Sequence, residues 1–185
     1  MKKRIYIIPL IVVAAISIAV LFMVSLKKQS EQNPSEFVTH SDIKTGIAFD
    51  YPIGWTRVGN IPEGYMFTSP EEKSIFIFSH SKISEAASRD YSSKKDLDRE
   101  ASDLLSPFKG NKNFRLISNI STKINNAKAK DITFSYRDRE ELLKIRLLVI
   151  GKYKGCFHYF TLYSSKAFEK DVPDFERIKK SIRFK

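Results

Sequence analysis

The chain has 185 residues with 32 basic and 21 acidic side chains, and its 14 phenylalanines and eight tyrosines supply bulk for a hydrophobic core. This composition excludes a wholly disordered chain, and the single cysteine, Cys156, excludes an internal disulfide. The charge is uneven, because residues 29–108 carry 8 basic and 13 acidic side chains whereas residues 109–185 carry 19 and 8. The second half therefore favours an anionic partner, such as an acidic protein, an anionic lipid surface or a wall polymer. If both halves mix in one sheet, these charges are ordinary solvated ones.

Residues 1–4 form a basic flank, and residues 5–26 form an uncharged apolar run that ends before Lys27. As a helix this run would measure about 33 Å, the thickness of the hydrocarbon core of a bilayer. We therefore predict a single transmembrane anchor at residues 5–26. A cleaved signal peptide, cut near Ala15-Ile16-Ser17, is the alternative, but the apolar run continues well past that site. The basic excess before the run favours a cytoplasmic N-terminus, so we expect a single-pass cell membrane protein whose domain lies outside the cytoplasm, with no nucleic-acid partner.

Residues 27–41 are predicted to be a polar linker, and residues 42–185 are predicted to be one domain. Alternating apolar residues predict short strands at 46–51, 65–67 and 74–78. Tyr51 and Trp55 flank a break after the first of these strands. We interpret this aromatic pair as a plug at one end of the core, with a recognition patch as the alternative.

A helix is predicted to follow. Ser93 and Asp96 have the spacing of a capping box, and Pro107 and Gly110 are typical of the end of a helix. The apolar stripe comprises Leu97, Ala101, Leu104, Leu105 and Phe108. Four acids interleave with this stripe, and we interpret them as solvated residues near the helix start and not as a metal site. They are Asp96, Asp98, Glu100 and Asp103.

Strands are predicted to return at 114–120, 131–136, 142–150 and 156–163, before a terminal helix with Pro173 in its first turn. The order of strands, helix, long strands and helix predicts an α+β fold, an antiparallel sheet flanked by helices, preceded by the N-terminal transmembrane helix. Asn119 begins a glycosylation triplet inside a predicted strand, which is of consequence only if the host glycosylates proteins on that side of the membrane.

Basic residues of the long predicted hairpin supply a candidate binding surface. Lys144 and Arg146 lie on the wetter face of the strand at 142–150, and the next turn adds Lys152 and Lys154. An anionic lipid, a wall polymer or an acidic protein would suit these four cations.

No catalytic motif stands out, and neither a cofactor nor a metal is expected. Cys156 is interpreted as a small buried hydrophobe, although His158 would share its face of a strand. The remaining histidines, His40 and His80, are scattered. His80 and His158 could meet across a sheet, but we interpret them as structural histidines with satisfied hydrogen bonds. We therefore expect a non-enzymatic binding or assembly module. The alternative is a small hydrolytic or ligand-carrying domain with a pocket between sheet and helix near His80, His158 or Tyr159.

Several segments together resemble the PsbP-like family. They are Phe49-Asp-Tyr-Pro-Ile-Gly-Trp55, the middle helix, the long hairpin ending in Tyr159-Phe-Thr-Leu-Tyr163, and Phe175-Glu-Arg-Ile-Lys-Lys-Ser-Ile-Arg-Phe184. The resemblance covers about residues 42–184 and implies an antiparallel sheet sandwiched by helices. It also implies docking on larger assemblies in place of catalysis, with partners that differ between members. No site residue of the family can be placed on this sequence, and nothing at its start resembles a plastid transit peptide.

Overall fold

A computed structural model describes residues 36–70, 73–82, 94–111, 113–153 and 156–185. These ranges contain ten strands and two helices. The first strands are β1 (Phe37–Asp42), β2 (Ile47–Pro52), β3 (Thr56–Ile61), β4 (Gly64–Thr68) and β5 (Ser74–Lys82). After them come α1 (Lys94–Lys109), β6 (Arg115–Ile124), β7 (Ala127–Asp138), β8 (Glu141–Tyr153), β9 (Cys156–Ser164), α2 (Phe168–Ser181) and β10 (Arg183–Phe184).

The strands form two antiparallel sheets. Seven strands make a large sheet in the order β3-β4-β5-β9-β8-β7-β6, and three make a small sheet in the order β1-β2-β10. The predicted α+β class, an antiparallel sheet with helices, is confirmed. The second sheet was not predicted, because its strands β1 and β10 carry few of the alternating apolar residues that mark a buried strand.

The large sheet has a hydrophobic core on each face. One face, here the α1 face, packs against α1 through residues such as Ile77, Leu105 and Phe134. The opposite face, here the α2 face, packs against α2 and the small sheet through residues such as Phe76 and Phe175. The period of two along β5 and β9 explains this division, because successive side chains point to opposite faces.

The predicted elements match the structure with a few differences. β1 begins at Phe37, so the first strand lies largely within the stretch expected to be linker. β3 was not predicted, since Thr56–Ile61 lacks apolar alternation. Pro173 lies inside α2 and not in its first turn, because the helix already begins at Phe168.

The strand predicted at 114–120 differs in one further respect. The alternation expected there placed Leu116 and Ile120 on the same face. A register shift between Leu116 and Ser118 inserts an extra residue, so Leu116 lies opposite Phe134 while Ile120 lies opposite Asp131. The two side chains therefore point to different faces of the sheet.

The predicted anchor at residues 5–26 lies outside the described residues. Neither helix within the described ranges has the length and apolar character needed to cross a membrane.

Candidate binding surfaces

A cluster of ion pairs on the α2 face joins β7, β8 and α2. The Asp131 carboxylate lies 2.6 Å from the Arg146 guanidinium and 2.8 Å from the Lys179 ammonium. Glu176 closes the cluster at 2.5 Å from Arg146 and 2.9 Å from Lys179. The Asp131 and Arg146 side chains are only 8% and 12% exposed. Each charge in the cluster is matched within the fold, so the cluster acts as a tie between α2 and the sheet.

The cluster also sets the protonation of its carboxylates. Burial by itself would raise the pKa of Asp131, but the hydrogen bonds and charges of Arg146 and Lys179 outweigh it and hold that pKa below its ordinary value. The pKa of Glu176 is lowered in the same way, against its own burial, by Lys179 and Arg146. The Arg146 guanidinium also lies 5.1 Å from the centre of the Phe175 ring, a cation–π contact with α2.

Three of the four predicted basic surface residues lie in the described part of the chain, and they do not form one patch. Lys144 pairs with Glu169 at 2.5 Å near the start of α2, and Arg146 is held in the buried cluster. Lys152 lies toward the far end of β8, eight residues and roughly 27 Å of extended strand from Lys144. Lys154 lies outside the described residues. Binding of an anionic partner by these residues stays a prediction.

A second polar group ties α1 to the sheet on the opposite face. The Tyr159 hydroxyl donates to the Glu100 carboxylate at 2.6 Å and lies 2.6 Å from the Ser81 hydroxyl. Burial raises the pKa of Glu100, and the Tyr159 hydrogen bond opposes this rise only in part. Asp98 on the same helix pairs with Lys130 on β7 at 2.5 Å. Two of the four predicted helix acids thus hold α1 in place, and no group of side chains suited to a metal ion occurs among the described residues.

His80 and His158, which the sequence placed where they could meet, do lie next to each other across the sheet. They are register partners on β5 and β9, with ring centres 6.3 Å apart. His80 Nε2 also lies 2.8 Å from the Glu63 carboxylate, in the turn between β3 and β4. His40 instead packs among aromatic rings, 4.5 Å from the centre of Tyr65, and burial lowers its pKa, with a smaller contribution from Arg57.

The faces of the sheet separate the residues that the pocket hypothesis grouped. His158 stacks on Phe78 of the α2-face core, whereas Tyr159 belongs to the α1-face core. Tyr159 and Ser81 are therefore on the other side of the sheet from the two histidines. His80 therefore lies beside the Glu63 carboxylate, but the hydroxyls of Ser81 and Tyr159 are beyond the reach of His80.

Two interpretations of single residues are confirmed. Cys156 is buried on β9, as expected of a small hydrophobe. Trp55 is 5% exposed and packs edge-on against Phe76, while Tyr51 lies 4.6 Å from the centre of Phe67. The aromatic pair thus closes part of the α2-face core.

The exposed edge of the large sheet at β6 was not predicted from the sequence. Three of its apolar side chains are open to solvent: Leu116 is 45%, Ile117 51% and Ile120 59% exposed. Asn119, the residue of the glycosylation triplet, is also exposed on this strand. A signal was present in the sequence, because residues 116–122 form an uncharged stretch between Arg115 and Lys123.

Comparisons with solved structures identify the fold. The cyanobacterial PsbP protein CyanoP from Synechocystis sp. PCC 6803 superposes with a TM-score of 0.58 at 16% identity, over 86% of this chain and 99% of that one. The Ran-binding protein Mog1p of Saccharomyces cerevisiae superposes with a TM-score of 0.56 at 7% identity, over 80% of this chain and 95% of that one. The chain has a PsbP-like fold.

A third solved structure has a similar fold. LpqN of Mycobacterium tuberculosis, described as involved in cell envelope biogenesis, superposes on the PsbP-like domain with a TM-score of 0.51. Its identity is 12%, over 80% of this chain and 89% of that one. No family model and no curated protein matches the chain. At these identities the likeness establishes the fold, and function has to be argued from the surface.

Proposed function

We propose that this chain is a non-catalytic binding or assembly module that an N-terminal membrane helix holds outside the cytoplasm, where it docks on a protein of a larger complex. The main support for the proposal is that the buried titratable groups hold the helices against the sheet. Asp131 and its partners hold α2, and Glu100 with Tyr159 holds α1. Catalysis needs such groups to converge on one open site. In this fold they are spread over both faces of the sheet.

The exposed surface supports the same proposal. Seven large apolar side chains are exposed in the described residues, and three of them lie on a single strand, β6. These side chains point to both faces of the sheet but share one edge strand. Several exposed apolar groups on an edge strand favour an interaction site, whereas scattered single ones are ordinary. The likeness to a Ran-binding protein supports protein docking as a use of this fold, by analogy.

The proposed location rests on the sequence. The apolar run at residues 5–26, with its basic flank, supports a retained anchor and an external domain. The likeness to a protein of cell envelope biogenesis is compatible with that location. An anionic lipid surface or a wall polymer is the second class of partner. Residues 109–185 carry 19 basic and 8 acidic side chains, and although the large sheet contains strands of both halves, the four strands of this basic half lie side by side in it.

The proposal is tested by crosslinked affinity capture from intact membranes. The wild-type chain is compared with one whose residues 1–26 are replaced by a cleavable signal peptide. The affinity tag follows Lys185 through a flexible Gly/Ser linker, because the backbone N–H of Lys185 donates to Gly46 and the linker leaves this contact intact. We expect a stoichiometric membrane-protein partner that is recovered only when the anchor is present.

Two outcomes would contradict the proposal. Recovery of no stoichiometric protein by either form would direct attention to lipids and wall polymers, which vesicle and cell-wall sedimentation assays distinguish. Recovery of the chain in the soluble cytoplasmic fraction would refute the proposed location.

A further inference from the structure

We propose that the edge strand β6 is a docking site for an extended, acidic-flanked segment of another protein, which adds an eighth strand to the large sheet. This inference rests on the proposed function and names the kind of partner. β6 lies at one edge of the sheet and, within the described residues, pairs only with β7. Its outer side therefore presents unpaired backbone N–H and C=O groups at every second residue.

The two edges of the sheet differ in how well they are protected. At the opposite edge, β3 has six residues, a register shift between Arg57 and Gly59, and the Arg57 guanidinium folded 4.3 Å above the Tyr65 ring. Shortness, irregularity and charge are the usual means of blocking strand addition. β6 has ten residues, and beyond its shift at Leu116 its register is regular from Ser118 to Ile124. Of the two described edges of the large sheet, β6 is therefore the longer one and has the longer regular stretch.

The side chains of β6 indicate what the added strand would carry. Ile120, 59% exposed, lies in the middle of the strand and would meet an apolar residue of the partner. Arg115 and Lys123 are exposed near the two ends, and β6 contains no acid. The register shift near Leu116 puts Arg115 and Lys123 on different faces of the sheet, seven paired positions apart. A regular partner segment with carboxylates seven residues apart and apolar residues between them would complement this pattern.

The same charges disfavour a second copy of this chain as the occupant. Antiparallel pairing of β6 with another β6 would bring Arg115 and Lys123 of both copies to one edge, and β6 contains no acid to pair with them. Like charges brought close together across a strand pair destabilise it. Charge complementarity therefore selects an acidic segment from a different protein.

A peptide-binding experiment tests the proposal. The probe is the dye-labelled peptide Asp-Val-Thr-Ile-Thr-Val-Thr-Glu. Because the register shift near Leu116 takes up one residue of β6, its isoleucine lies opposite Ile120 when its two acids face Lys123 and Arg115. The control peptide carries lysine in place of both acids. Binding to the full-length chain in nanodiscs is measured by fluorescence anisotropy. We expect the acidic peptide to bind and the lysine peptide to bind at least about tenfold more weakly.

Variants of the chain locate the binding to β6. R115E/K123E should lower the affinity for the acidic peptide by about tenfold and raise the affinity for the lysine peptide. The matched control is K44E/K166E, which reverses two exposed lysines in turns away from β6 and should leave both affinities unchanged. I120K should weaken binding, whereas I43K, at a residue that is 95% exposed between β1 and β2, should not.

Hydrogen exchange supplies an independent readout. The outward amides of β6 should exchange rapidly in the free chain and become protected when the acidic peptide is added. Protection of every β6 amide in the free chain would show that the chain itself covers this edge and would overturn the proposal. Equal affinity for both peptides, no binding of the acidic peptide, or equal effects of R115E/K123E and K44E/K166E would overturn it as well.

Sedimentation velocity tests whether a second copy of the chain occupies the β6 edge. A dimer of the wild-type chain that R115E/K123E abolishes would assign the edge to a second copy and overturn the proposal. These failures would leave the proposed module function standing, because that function is tested by anchor-dependent capture from membranes.

Discussion

The two faces of the large sheet each hold one helix with buried polar groups, but the chemistry differs. On the α2 face, Asp131 and Glu176 are ionised between two cations, and their pKa values are lowered despite burial. On the α1 face, Glu100 accepts a hydrogen bond from the Tyr159 hydroxyl, and burial raises its pKa. The helix on one face is therefore held by buried matched charges. The helix on the other face is held by a carboxyl group whose ionised form is disfavoured by burial and by the more exposed pair of Asp98 with Lys130. Removing the charge of Asp131 should therefore weaken the attachment of α2, whereas removing that of Glu100 should leave the attachment of α1 as strong or make it stronger.

The largest expected effect comes from breaking the α2 attachment at its apolar centre. Phe175 is 1% exposed, packs against Phe76 and lies under the Arg146 guanidinium. F175A should lower the free energy of unfolding by about 4 kcal/mol, through the cavity it leaves and the lost contacts. Urea denaturation measures this. The matched truncation on the other face, L105A, should cost about 3 kcal/mol, and a cost below about 1 kcal/mol for F175A would show that α2 is only loosely docked.

The next effect tests the matched charges themselves. D131N leaves Arg146 and Lys179 buried with one carboxylate between them, and we expect a loss of about 3 kcal/mol in the free energy of unfolding at neutral pH. D50N is the matched control, because Asp50 pairs with Arg183 at the surface, where Arg183 is 50% exposed. It should cost about 1 kcal/mol or less. Equal losses in the two variants would argue against a special role for the buried cluster.

The pH dependence of stability should follow from the same cluster. Since the pKa values of Asp131 and Glu176 are lower in the folded chain than in the unfolded one, their stabilisation is present above the ordinary carboxylate pKa values. It is lost as the pH falls through the folded-state values. Wild-type stability should therefore drop steeply below about pH 4, and D131N should flatten that drop. Parallel curves for the two proteins would contradict this reasoning.

The smallest effect is expected at Glu100 and has the opposite sign. Its raised pKa means that the ionised form is disfavoured in the folded chain, so its contribution to stability falls as the pH rises through the folded-state pKa. E100Q keeps an acceptor for Tyr159 and should be as stable as wild type or up to about 1 kcal/mol more stable at pH 7. Thermal unfolding at pH 4 and pH 7 checks this. A variant that loses stability at pH 7 but not at pH 4 would show that the ionised form is favoured after all.

Much of the fold could be predicted because its strongest elements are periodic. The stripe of Leu97, Ala101 and Leu105 marks α1, and the alternation of Ile145, Leu147 and Val149 marks β8. β3 and β10 could not be predicted in this way, since they lie at an edge or are two residues long and bury few side chains. Their pairing is decided by neighbours that are distant in sequence.

The candidate site was less predictable for a physical reason. The sequence pattern predicts that Arg146 is an exposed cation on the wetter face of β8. In the structure it lies in a largely buried cluster with Asp131 and Glu176, which are 15 and 30 residues away in the sequence. The register shift near Leu116 likewise has no local marker, although it determines which face Ile120 occupies. Ion pairing across elements and strand register both depend on tertiary contacts, which single-sequence patterns do not contain.

The measurement that tests the central claim most directly is quantitative crosslinked capture from one membrane preparation with three full-length chains: wild type, K44E/K166E and R115E/K123E. If β6 is the docking edge, wild type and K44E/K166E should recover the same stoichiometric partner, and R115E/K123E should recover much less of it. Equal recovery by all three would retain the binding module but move its interface away from β6. Recovery of no stoichiometric partner by the wild-type chain would contradict the claim that this protein acts by docking on a membrane complex.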